Sequence, residues 1–358
     1  MQVANEGREK MDKLKEMTER FPTRYWNDSC SVKELNYAIE RGATGATTNP
    51  VIVKQVLEKE MDLYSDYISG LVRDNSTATE DEIAWTVIEK MAVTGAKMLE
   101  PVFDPGDCKG RISIQTNTKY HRCTEKIVEQ ARYFDTLAPN MQVKAPATSA
   151  GIKAFEEMTY HGVNVNATVS FSYTQAMAVA EAIENGLKRR EAEGKDVKDM
   201  GPVCTIMIGR LDDWLKRVVD RDNVAIDPRA LEFAGIACAK KAYKEFNEKK
   251  YRTKLLTAAY RSPLHWTEFI GGDMVLTIPY AYQVRFNNSN FEVKEAMDKE
   301  VDPYYIEQLM MMPDFEKAYI KMAIDDFDTF GPVNITLDQF SSGYDDLVKI
   351  IRKFMIRY

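Results

Sequence analysis

The chain has 358 residues, 44% of them hydrophobic and 29% charged, and a formal net charge of −7. That length allows one large α/β barrel or two smaller domains around a substantial core, and the composition excludes the disordered and fibrous classes. The acidic balance argues against a nucleic-acid surface, which needs a basic stripe, and no apolar run is long enough to cross a bilayer.

In chain order, the charged segment Met1–Phe21 predicts an N-terminal helix within residues 1–22 and does not have the make-up of a signal peptide. Apolar, β-rich runs then alternate with amphipathic stretches. Strands are predicted at Arg24–Asp28, Thr44–Asn49, Arg111–Thr116, Met141–Ala147, Val163–Val169, Val203–Ile208, Lys254–Ala259 and Met274–Ile278. Helices are predicted at Val32–Glu40, Val51–Val72, Glu80–Lys97, Thr118–Leu137, Ile152–Thr159, Tyr173–Arg190, Leu211–Val219 and Ala230–Asn247. This alternation predicts a TIM-type (β/α)8 barrel. No GxGxxG follows an early strand, so a dinucleotide-binding sheet is disfavoured.

Two additions are expected. The polar stretch Leu187–Met200 should lie at the N-terminal end of the barrel, away from catalysis. Residues 286–358 form a mostly helical extension, with a turn-rich break near Asn334–Tyr344. No linker or repeat divides the sequence, so residues 1–358 are read as one barrel domain with helical ends. The five cysteines, Cys30, Cys108, Cys123, Cys204 and Cys238, include no CxxC pair, which predicts free thiols in a reducing cytoplasm. His121, His161 and His265 lack metal-ligand spacing and are read as structural or surface groups.

Chemistry in such a barrel collects at the C-terminal ends of the strands. Those ends carry Asp28, Thr47, Asn49, Gln115, Lys144, Asn166, Thr168, Arg210 and Arg261. Polar strand ends are ordinary singly, since loops are wet, but an amine, a carboxylate, amides and two arginines on one rim make a coherent set. Lys144 sits in the apolar run Met141–Thr148 (MQVKAPAT). Burial there disfavours its ammonium form, and a neutral amine can attack a ketose carbonyl to form an imine. Asp28, the only carboxylate in the set, can remove a hydroxyl proton. Gln115 and Thr168 can hold a water that relays protons, and Asn49 and Asn166 can bond sugar hydroxyls. Arg210 and Arg261 offer planar donor forks for a phosphate or similar tail.

Several segments carry a specific resemblance. Gly45–Pro50 reads GATTNP, Gly110–Ser113 reads GRIS and Val143–Thr148 reads VKAPAT. Gly162–Thr168 (GVNVNAT) is followed by Phe171–Ala176 (FSYTQA), and Gly209–Trp214 reads GRLDDW. Together, and in this order, they resemble the transaldolase family over nearly the whole chain. The resemblance implies a barrel with a long C-terminal helix crossing toward the active site. It also implies class I aldol chemistry with neither metal nor organic cofactor, in cytoplasmic pentose phosphate metabolism. It matches Lys144 to the imine-forming lysine, Asp28 to the carboxylate of bond cleavage and Thr168 to the water-holding threonine. Thr47, Asn49 and Asn166 fall in its sugar-binding segments, and Arg210 and Arg261 match its phosphate-binding pair.

Three positions depart from the family. Gln115 stands where a glutamate usually works through a catalytic water. The related fructose 6-phosphate aldolases also have a glutamine there but use a tyrosine at the position occupied here by Met207. Ala259 replaces a serine that helps bind phosphate. The leading expectation is transfer of a dihydroxyacetone unit from a ketose phosphate to an aldose phosphate. The alternatives are a relative acting on a differently tailed ketose, such as 6-sulfofructose, one releasing free dihydroxyacetone, or a sugar-phosphate-binding protein whose catalysis has decayed. The expected partners are thus a small sugar phosphate or sulfonated sugar and, at most, other copies of the chain.

Overall fold

The computed structural model describes residues 12–356. Eight parallel strands close into a barrel in chain order: β1 (Arg24–Asn27), β2 (Gly45–Thr47), β3 (Arg111–Gln115), β4 (Met141–Pro146), β5 (Val165–Thr168), β6 (Val203–Ile206), β7 (Lys254–Thr257) and β8 (Val275–Ile278). The circle is completed between β1 and β8, with Arg24 opposite Val275 and Asn27 opposite Ile278. The predicted (β/α)8 barrel is therefore the fold observed. All strands are short and almost wholly buried, which is why they read as apolar runs and not as alternating ones.

Local chemistry sets the connections. After β4, Thr148 caps helix Ser149–Tyr160 by accepting the Gly151 N–H on its hydroxyl at 3.0 Å. The predicted helix Val51–Val72 divides at Glu60 into Pro50–Lys59 and Met61–Asp74. Glu60 leaves the helix because its buried carboxylate turns onto the start of helix Val32–Glu40, where Ser31 Oγ donates to it at 2.6 Å. The stretch predicted to begin at Thr118 starts as a single 3₁₀ turn, and the helix proper is Thr124–Asp135. The polar loop after helix Tyr173–Ala192 does lie at the N-terminal end of the barrel, where the carbonyl of Asp199 accepts from Arg111 at the start of β3. At the amino end, helix Lys13–Arg20 lies within the predicted segment, and residues 1–11 fall outside the described residues.

One expectation is overturned. There is no turn-rich break near Asn334–Tyr344: those residues belong to one continuous helix, Gly331–Met355. Its buried residues Thr336, Leu337, Phe340, Tyr344, Leu347 and Ile351 recur at helical spacing. Gly343, within that stretch, is a packing residue: a Cβ there would lie 2.7 Å from Val51 Cγ2 and 3.1 Å from the Val51 backbone. The helix thereby seats on the start of Pro50–Lys59 and crosses the C-terminal side of the barrel. Among the described residues, no helix is long and apolar enough to cross a membrane.

Candidate active site

Lys144 lies near the end of β4 with 3% of its surface exposed. Its register partners are Gln115 on β3 and Asn166 on β5. Directly opposed residues of neighbouring strands face the same way, so one amine and two amides occupy a single level of the barrel. Lys144 Nζ donates to the Thr48 carbonyl oxygen at 3.2 Å. Burial brings the Lys144 amine down to about 8; nearby Asp28 opposes that shift and Arg210 adds to it.

Asp28 follows β1 directly. Its carboxylate accepts from Thr47 Oγ1 at 2.8 Å, and Thr47 is paired in turn with Thr277 Oγ1 at 2.6 Å. Burial pushes the Asp28 carboxyl up, restrained by the Lys144 charge, the Thr47 hydrogen bond and Arg210. The neighbouring helix is capped by Ser31, which leaves Asp28 without a capping duty.

Asp28, Asn49, Lys144, Arg210 and Arg261 line one cleft of about 360 Å³, together with Met207 and Tyr260. Thr47, Gln115, Asn166 and Thr168 are not on its wall; they are buried. Asn49 is partly engaged, since its Oδ1 caps helix Pro50–Lys59 by accepting the Ile52 N–H at 3.0 Å. Its Nδ2 is not used in that cap. Asn166 accepts from Thr205 Oγ1 at 2.7 Å and donates to Ser113 Oγ at 2.9 Å, so only one of its amide hydrogens remains. Thr168 Oγ1 donates to the Met207 sulfur at 3.7 Å. Gln115 Oε1 is buried without a partner, an acceptor that calls for a donor such as a bound water.

The two arginines approach from adjacent strand ends. Arg210 lies in the first turn of helix Ile208–Asp222 and donates to Gln339 Oε1 and, at 3.2 Å, to Thr336 Oγ1, both on helix Gly331–Met355. The Arg261 Nε donates to Asp213 Oδ2 at 2.8 Å, and its Nη1 donates to the Tyr260 carbonyl at 2.9 Å. Burial and then the like charge of Arg261 bring Arg210 down to about 10, so it stays cationic at neutral pH. Gly209 permits the approach: a Cβ at that position would lie 2.0 Å from the Ala259 carbonyl oxygen. A smaller cavity of about 90 Å³ lies where Arg210, Arg217 and Arg261 meet Thr336 and Gln339.

A buried brace underlies this end of the site. His265 Nδ1 accepts the Arg261 backbone N–H at 3.0 Å, so its ring proton sits on Nε2, which donates to Asp212 Oδ2 at 2.9 Å. Asp212 Oδ1 accepts the Gly235 N–H at 2.9 Å. His265 is thus structural, as its isolation in sequence suggests. A larger cavity, about 950 Å³, lies elsewhere, between helix Ala234–Lys249 and residues 297–306, and none of the residues just described lines it. No group of His, Cys, Asp and Glu among the described residues is arranged to hold a metal ion.

Sequence reasoning missed Tyr260, Thr336 and Gln339. Thr336 and Gln339 lie more than a hundred residues beyond Arg210, and no local pattern links them. Tyr260 sits between the noted Ala259 and Arg261 but reads as an ordinary core aromatic.

Known proteins resemble this chain over most of its length. The family described as Transaldolase/Fructose-6-phosphate aldolase matches residues 25–331. A transaldolase of Neisseria meningitidis serogroup A is 27% identical over 270 residues, covering 69% of this chain and 74% of that protein. A transaldolase of Thiobacillus denitrificans is 32% identical over 216 residues, 58% of each chain. Transaldolase 2 of Nostoc punctiforme is 26% identical over 307 residues, 76% of this chain and 79% of its own.

Proposed function

Because the chain belongs to the transaldolase/fructose-6-phosphate aldolase family and is an enzyme of that kind, we propose that its cleft transfers a dihydroxyacetone unit from a ketose phosphate to an aldose phosphate through an imine on Lys144. The observation that carries this reading is a buried amine, lowered to about 8, on the wall of a cleft it shares with Asp28. The neutral amine adds to the ketose carbonyl, and loss of water leaves the iminium. Asp28 takes the proton of the hydroxyl two carbons from the imine carbon. The carbon–carbon bond then breaks, its electrons flow to the iminium nitrogen, and an aldehyde leaves while the enamine stays on Lys144. A second aldehyde enters and the steps reverse. The orphaned Gln115 oxygen and the Thr168 hydroxyl are suited to hold the water exchanged during imine formation.

Arg210 and Arg261 hold the anionic tail in this reading. Each pairs here with neutral or acidic side chains that a phosphate would displace. A charge-assisted hydrogen bond contributes about 1.5–3 kcal/mol, so Arg210→Ala or Arg261→Ala should raise KM for a tailed ketose on the order of tenfold or more. The KM for an untailed ketose should hardly move. Equal losses on charged and uncharged substrates would count against tail binding.

Gln115 and Ala259 favour a second reading, in which the site takes a sulfonated ketose or releases dihydroxyacetone freely. A panel of fructose 6-phosphate, 6-sulfofructose and fructose, each with and without an aldehyde acceptor, separates the two. Acceptor-dependent turnover of the phosphate supports transfer, whereas acceptor-independent cleavage or a clear sulfonate preference supports the second reading. Absence of turnover with every ketose would leave a binding protein. Gln115→Glu should lower turnover of the best substrate, because a buried carboxylate beside Lys144 would hold the amine protonated. A gain in kcat would mean that the glutamine is only a weakened version of the family's acid.

A further inference from the structure

We infer that the Tyr260 hydroxyl is a catalytic hydrogen-bond donor to the aldehyde oxygen in the carbon–carbon bond step; this rests on the imine reading above. Tyr260 lines the same cleft as Lys144 and Asp28. It is 2% exposed, and its hydroxyl has no hydrogen-bond partner. Buried hydroxyls are normally paired, and a phenylalanine would fill the same space without leaving one stranded. The Thr257 hydroxyl is also buried, makes no hydrogen bond of normal geometry, and lies close enough to Tyr260 to ease its ionisation as a loose hydrogen-bond partner. So loose a contact leaves the Tyr260 hydroxyl with donor capacity that a ligand in the cleft would complete.

The ring is placed firmly. Its centroid lies 6.1 Å from His265, 5.9 Å from Tyr282 and 6.0 Å from Phe286. The preceding residue, Ala259, has φ of +68°, a left-handed conformation that is unfavourable for a residue with a Cβ. Tyr260, which follows this bend directly, is buried. Strain of this kind persists where the surrounding structure imposes it and clusters at functional sites.

Burial raises the Tyr260 phenol well above its ordinary value, and the Asp28 charge adds to the effect. The phenol therefore keeps its proton and acts as a donor. In bond formation the enamine carbon attacks the aldehyde carbon, and the C=O electron pair moves onto oxygen. That oxygen takes the proton held by the Asp28 carboxyl, and the enamine nitrogen becomes the iminium. Tyr260 hydrogen-bonds the oxygen throughout, polarising the aldehyde beforehand, and its own proton is not transferred. Cleavage runs the same path backwards.

The test is Tyr260→Phe, with three readouts: melting temperature, borohydride trapping of fructose 6-phosphate on Lys144, and kcat and KM for transfer. Trapping and ketose KM should match the unsubstituted enzyme, and Tm should hold or rise once the unpaired hydroxyl is gone. The kcat should fall on the order of 10- to 100-fold, since one donor to a developing oxyanion contributes at or above that range. Equal kcat with intact trapping would overturn this inference alone. Absence of trapping in the unsubstituted enzyme would overturn the imine reading and this inference with it. Should Tyr260→Phe lower Tm, fluorotyrosine at position 260 replaces it: the more acidic phenol should change kcat without changing trapping, and an unchanged kcat would contradict the role.

Discussion

Lys144→Met should abolish turnover and imine trapping together while leaving a folded protein. Methionine nearly matches lysine in length and removes the nucleophile without introducing a buried charge. The stability effect has a definite sign. The folded-state value of about 8 lies below the ordinary 10.5, so at pH 7 the fold carries the cost of a buried ammonium. That cost is about 3 kcal/mol at most, at 1.36 kcal/mol per pH unit. It is fully present below about pH 8 and is lifted as pH rises toward 10.5. The substituted protein should therefore match or exceed the Tm of the parent at pH 7, less the lost hydrogen bond to Thr48. Lys144→Arg is a harsher change, because a guanidinium stays charged in the same buried position. Residual turnover in Lys144→Met above a percent or so would remove the lysine from the mechanism.

Asp28→Asn should separate the two halves of the reaction. Imine formation needs the Lys144 amine; bond cleavage needs a base. Trapping should survive, while kcat falls about 10²–10⁴-fold, the usual contribution of a positioned acid–base group. A pH profile sharpens the prediction. The rate of trapping should rise with pH through about 8 and then level as the amine becomes neutral. Asp28 raises the Lys144 value through its negative charge, so Asp28→Asn should move that limb to lower pH. A limb that stays in place would mean the two groups are electrostatically independent; equal loss of trapping and turnover would give Asp28 a different role.

The barrel was legible because its strands are buried on both faces and read as short apolar runs between amphipathic stretches. The positions of Lys144, Asp28 and the arginines followed from their places at strand ends, where the closed sheet brings them within reach of one cleft. What the sequence hid depends on distance along the chain or on fine geometry. The stretch Asn334–Tyr344, rich in turn-forming residues, is helical within Gly331–Met355, where the missing Cβ of Gly343 serves contact with Val51. Gln339 reaches Arg210 across the barrel mouth, a contact with no local signature. Asn49 matched a sugar-binding residue, yet half of its amide is spent capping a helix. Tyr260 differs from a core aromatic only in a hydroxyl left without a partner, which no spacing rule detects.

The imine is the claim on which the rest depends, and borohydride reduction tests it directly. The enzyme should be incubated with fructose 6-phosphate near pH 8.5, reduced, digested and analysed by mass spectrometry. The account predicts one substrate-derived mass increment, on the peptide carrying Lys144, absent without the ketose. Labelling on another lysine, or no labelling while turnover proceeds, would contradict it.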